Sequence, residues 1–144
     1  MKNLKKIPLL ASLVAALIGG VAVAADPPAE ADPGALKTIM VDLGEQMTRV
    51  QTGLWVEDFV AISAGAKAVA EHPHVSPEER TRIQAALGED FAAFAQADRK
   101  VHDDAVRLAA AADAEALDAT LKEVVELQSD CVSCHTQFKQ RLAR

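Results

Sequence analysis

The sequence predicts an all-α protein, an antiparallel up-down-up-down four-helix bundle, on three observations. Half of the 144 residues are hydrophobic but only 3% are aromatic, with one Trp and no Tyr, so the supply that strands draw on is missing. Apolar residues return at steps of three and four along four separate stretches, the spacing of one helix side. The connections between those stretches are short, which turns each helix back along the one before it.

Residues 1–24 come first and stand apart. Lys2, Lys5 and Lys6 precede an apolar run from Ile7 to Ile18 and the small-residue exit Ala22-Val23-Ala24, the order of a secretory signal peptide cleaved after Ala24. An uncleaved anchor competes, because the run approaches the roughly 20 residues needed to span a bilayer. Gly19, Gly20 and the Ala-rich tail weigh against it. Export points to the periplasm. Residues 25–33, with Pro27, Pro28 and Pro33, read as a disordered lead-in. Residues 34–144 then form one domain.

Losing the three leader lysines takes the formal charge from −6 to −9. An acidic exported domain suits a basic partner protein and argues against nucleic acid or an anionic membrane surface. A homodimer is compatible with this composition.

The first seam is Leu36, Met40, Leu43, Met47, Val50 and Leu54, with Gly53 as the expected C-terminal cap. The second is Trp55, Phe59, Ile62, Ala66 and Val69, ending before His72-Pro73, with Trp55 expected as a packing anchor. The third opens at Ser76-Pro77-Glu78-Glu79, a capping box with Pro at the first helical position. It continues through Ile83, Leu87, Phe91, Phe94, Val101, Ala105 and Leu108, with Gly88 as a point of bending or fraying. The fourth is Leu117, Leu121, Val124, Gln128, Cys131, His135, Phe138 and Leu142, with Asp113 as its expected cap. Connections are expected at 52–54, 71–76 and 109–113.

Cys131-Val132-Ser133-Cys134-His135 has the spacing by which haem is attached covalently to c-type cytochromes. Two thiols one helical turn apart can each add to a haem vinyl group, which leaves the adjacent His135 as the proximal iron ligand. On the fourth seam His135 would point into the bundle; an outward-facing His would count against haem. A thioredoxin-like pair needs a βαβ setting, and no strand pattern is visible. Zinc would need two further ligands. A disulfide between the two Cys is chemically open in an oxidising compartment.

With this motif about ten residues from the C-terminus of an exported helical bundle, the chain resembles the cytochrome c-prime family, the class II c-type cytochromes. The resemblance spans the whole mature domain and rests on the late position of the haem motif. It implies one covalent haem c held by Cys131 and Cys134 and ligated by His135. It also implies two branches, one with a Met near the start of the first helix as sixth ligand, the other five-coordinate with an apolar residue there.

In an antiparallel bundle the start of the first helix lies beside the end of the fourth, which places Met40 near His135. Met47 lies about 10 Å further along the axis at about 1.5 Å per residue, too far to reach the iron. Met on an apolar seam is commonly core filler; here ligation by Met40 is the expectation, with Ile39 and Phe138 as haem-lining neighbours. Lys37, Lys139 and Arg141 are candidates to pair a propionate. His72, His74 and Glu71 read as solvated loop residues rather than a metal site, and His102 with Asp98 as a helix-surface pair. The expected function is a periplasmic one-electron carrier with His/Met-ligated haem, not an enzyme, with a redox protein as partner. A five-coordinate haem protein binding nitric oxide or carbon monoxide is the alternative.

Overall fold

The computed structural model describes residue 32 and residues 34–143. The expected signal peptide and, apart from Asp32, the expected lead-in lie outside the described residues. The elements are α1 (Leu36–Trp55), α2 (Phe59–Ala70), α3 (Pro77–Leu87), a 3₁₀ turn (Gly88–Asp90), α4 (Phe91–Asp113) and α5 (Leu117–Leu142). No strand occurs among the described residues. The bundle consists of α1, α2, α4 and α5; α3 lies across the end where α1 begins and α5 finishes.

Neighbouring helices are antiparallel, as their cross-contacts show. Between α1 and α2, glycines permit close approach: a Cβ on Gly65 would stand 3.0 Å from the Gln46 carbonyl, and one on Gly53 2.9 Å from Ile62. Between α2 and α4, Asp113 pairs with Lys67 at 2.9 Å, while His102 Nδ1 lies 2.8 Å from the Ala70 carbonyl. Between α4 and α5, Lys100 pairs with Asp130, and Arg107 with Glu123 at 3.0 Å. The carboxylate of Asp104 is fully buried at that interface, held by Arg107 and Lys100. Ionic partners make such burial tolerable.

Two apolar clusters fill the interior. The larger takes Val50, Ile62, Val69, Leu108, Val124 and Leu127 from all four bundle helices, with Leu43, Met47 and Cys131 at its edge. The smaller takes Ile83 and Leu87 from α3 and Phe138 and Leu142 from α5, with Leu36, Phe91, Phe94 and Cys134 packed on it. Phe94 meets Phe138 edge-on at 5.6 Å, a favoured aromatic geometry.

Several local expectations are corrected. Gly53 is not a cap: it is buried inside α1, which continues to Trp55. The turn falls at Val56–Asp58, where Glu57 takes a left-handed conformation (φ 55°) and Asp58 caps α2 by accepting the Ala61 N–H at 2.9 Å. Trp55 is 84% exposed, so it anchors nothing in this fold. The third helix is broken at Gly88, whose φ of 55° ends α3. Asp113 does not cap α5, whose N-cap Ala116 has no side-chain bond; it is drawn instead to Ser63 and Lys67 on α2. The last turn is Ala114–Ala116, with Glu115 left-handed.

The fourth seam is displaced as well. The buried side of α5 runs through Thr120, Val124, Leu127, Phe138 and Leu142, with Cys131 and Cys134 half-buried on the same line. Leu117, Leu121, Gln128 and His135 are exposed. The heptad line through Cys134 excludes its neighbour, because consecutive residues point about 100° apart.

Candidate functional site

The two thiols lie three residues apart on α5, both free and both facing the core edge. Cys131 borders the larger cluster and Cys134 the smaller. Burial pushes both thiols up, Cys134 to about 11 with Asp98 and Cys131 adding to it, and Cys131 with Asp130 and Asp104 adding. A disulfide-exchanging pair needs a lowered thiol pKa. These are neutral thiols in an apolar flank, which speaks against a thioredoxin-like role.

His135 sits beside them with no hydrogen bond or ion pair on its ring among the described residues. Its direction follows from the helix wheel. Asp130 and Glu123 face α4 through their ion pairs. Turning from them at about 100° per residue, the buried line comes next and His135 lies just beyond it, on the flank away from α4. That flank borders α1. The expectation that His135 points into the bundle is corrected: the residue is exposed, on the side of α5 turned toward α1.

The cleft between α5 and α1 has room. Close backbone approach joins α1 to α2, α2 to α4, and α4 to α5, whereas α1 and α5 show no comparable approach among the described residues. The α2-facing side of α1 is marked by Gln46 and Val50 against Gly65. Met40 lies about 100° from it by the same wheel, on the flank toward α5, and is 37% exposed. Its level along the axis also matches. Leu36, one turn before it, packs on the cluster that contains Phe138 and Leu142, while Met47 packs on the cluster that contains Val124 and Leu127. Ile39 is fully buried and Phe138 4% exposed; Ile39 points toward α2, about 100° from Met40.

The remaining polar expectations divide. Arg141 is committed to Asp90 at 2.7 Å and to the Leu87 carbonyl at 2.8 Å, so it is not a spare cation for a propionate. Lys37 and Lys139 are exposed, and Lys139 follows His135 by one turn. His102 does not pair with Asp98; it meets the Ala70 carbonyl, and Asp98 stands 3.6 Å from His72. No group of three potential metal-ligating side chains occurs among the described residues. Sequence reading missed that Glu79 and Arg82 reach α1 and α5: Glu79 was legible as part of a capping box, but its carboxylate does not return to Ser76. It accepts the Leu36 N–H at 3.1 Å.

The residues present therefore fit a covalent haem: two free thiols one turn apart, an unengaged imidazole next to them, and an unclosed flank. Together they describe a helical c-type haem protein. The chain belongs to the Cytochrome C' family, whose model matches residues 38–139. A curated relative, "Cytochrome c'" of Rhodospirillum rubrum, is 30% identical over 149 aligned residues, which cover 94% of this chain and 99% of the relative. No solved structure matches. The protein carries haem c, and one haem per chain is typical of the family.

Proposed function

We propose that the protein is an exported one-electron carrier in which Cys131 and Cys134 hold the haem by thioether bonds, His135 ligates the iron proximally and Met40 distally. Bound haem supplies a ferric/ferrous couple. The observation that supports this reading is that Leu36, one turn before Met40, and Phe138, one turn after His135, belong to one apolar cluster, while Met40 and His135 themselves are exposed beside it. A thioether ligand would favour ferrous iron, and Phe94 and Phe138, packed edge-on at 5.6 Å, would supply apolar surroundings for the bound group. Export is supported by the leader read above, and no described helix is long and apolar enough to cross a membrane. The acidic balance suits a basic redox protein as partner.

The optical spectrum of the purified holoprotein tests the reading. Low-spin bands in both oxidation states, with slow or no uptake of carbon monoxide by the ferrous form, are expected. High-spin ferric haem that takes up carbon monoxide at once would instead make the protein a five-coordinate gas binder.

A further inference from the structure

The two helices that flank the haem site do not pack closely on each other, yet their ends at this site are joined through α3. The start of α1 has no side-chain cap of its own, because Ala35 occupies the N-cap. A helix's first N–H groups have no intrahelical partner. Here the Leu36 N–H donates to Glu79 Oε1 at 3.1 Å, across 43 residues of sequence. Glu79 is gripped in turn by Arg82, whose Nε and Nη2 donate to the two carboxylate oxygens at 2.7 and 2.8 Å. Such a fork fixes both position and orientation. The third donor of Arg82, Nη1, reaches the carbonyl of Leu142 at 3.3 Å, in the last turn of α5, where carbonyls lack intrahelical partners. A negative group thus sits at the positive end of α1 and a positive group at the negative end of α5. Ser76 N–H adds a bond to the Gly34 carbonyl at 3.0 Å, just ahead of α1.

We infer that the Glu79–Arg82 pair is a positioning clasp: it fixes the first turn of α1 against the last turn of α5, and so sets how firmly the residue-40 side chain closes the distal face of the haem. The inference rests on the Met40 reading above. Met40 follows Leu36 by one turn, so any loosening at the Leu36 N–H is delivered directly to it. As an i,i+3 pair in partial contact with solvent, the ion pair itself adds little to global stability. Its effect should therefore appear at the iron before it appears in a melting curve.

The test uses holoprotein with Glu79→Ala, Arg82→Ala and Glu79→Gln, the last retaining an acceptor for the Leu36 N–H. Arg107→Ala, which breaks one ion pair between α4 and α5 and one within α4, away from α1, is the control. Both alanine variants at the clasp should raise the ferric high-spin fraction. They should also speed carbon monoxide binding to ferrous haem roughly tenfold, the order of one charge-assisted hydrogen bond lost from a closed state. Glu79→Gln should fall between them and the parent, and Arg107→Ala should leave spin state and rate unchanged. Native rates in the folded Glu79 and Arg82 variants, or an equal change in Arg107→Ala, would overturn the clasp. Should an alanine variant fail to fold, Glu79→Gln decides: a rate equal to the parent's rejects the proposal. The Met40 reading fails separately, if the parent itself is high-spin. Carbon monoxide rates then judge the clasp alone, a faster rate in Glu79→Ala sustaining it and an unchanged rate removing it.

Discussion

Met40→Ala should convert low-spin haem to high-spin, open the sixth position to carbon monoxide and lower the reduction potential, because the soft sulfur that stabilises ferrous iron is gone. The fold should survive with little loss. Met40 is 37% exposed, so its truncation should cost well under the ~2–5 kcal/mol of a fully buried methionine. Met47→Ala should behave in the opposite way. Met47 packs against the larger core cluster and lies about 10 Å further along α1 by helical rise, so melting temperature should fall with no change of spin state. Optical spectra and thermal melts of the two variants separate ligation from packing, which either variant alone cannot do. A spectrum altered by Met47→Ala and untouched by Met40→Ala would move the distal site one heptad down α1.

Replacing both Cys131 and Cys134 with alanine should abolish covalent haem altogether, and acid-acetone should strip any residual cofactor from the polypeptide. Each single variant should keep one thioether and shift the absorption bands only slightly. Both thiols border the apolar clusters, so the alanines leave small gaps rather than unsatisfied polar groups, and the helical content should persist. Haem that stays on the double variant through the extraction would refute the assignment of these cysteines. Intact mass spectrometry gives the same answer independently.

The fold was legible in the sequence because helix periodicity and short connections are local signals. The Ser76 cap and the break at Gly88 follow from residues within one turn of the feature. What was not legible depended on distant neighbours. Gly53 carries a normal signal for a helix end, but the close approach of Ile62 keeps it inside α1. The chain turns instead at Glu57 and Glu115, which adopt left-handed backbone without the glycine that usually marks such positions. Asp113 has the chemistry of a cap and is claimed by Lys67, 46 residues away.

The site shows the same division. The Cys131 to His135 motif is a local pattern, but the burial line on α5 passes through Cys134 rather than His135. Two apolar lines share Val124, Cys131, Phe138 and Leu142, and periodicity alone could not choose between the others. Packing chose: Thr120 and Leu127 are buried and Leu121 and Gln128 are not. Glu79 and Arg82 could be recognised only once α1, α3 and α5 were placed together.

On the reading proposed above, the Met40 sulfur is bound to the haem iron. Proton NMR of the ferrous holoprotein addresses it most directly, since the methyl group of an axial methionine lies over the porphyrin ring and its three-proton line is displaced far upfield of every other methyl. That line should be present in the parent protein and in Met47→Ala, and absent from Met40→Ala. A parent spectrum without it, or a line that persists after Met40→Ala, would contradict the claim.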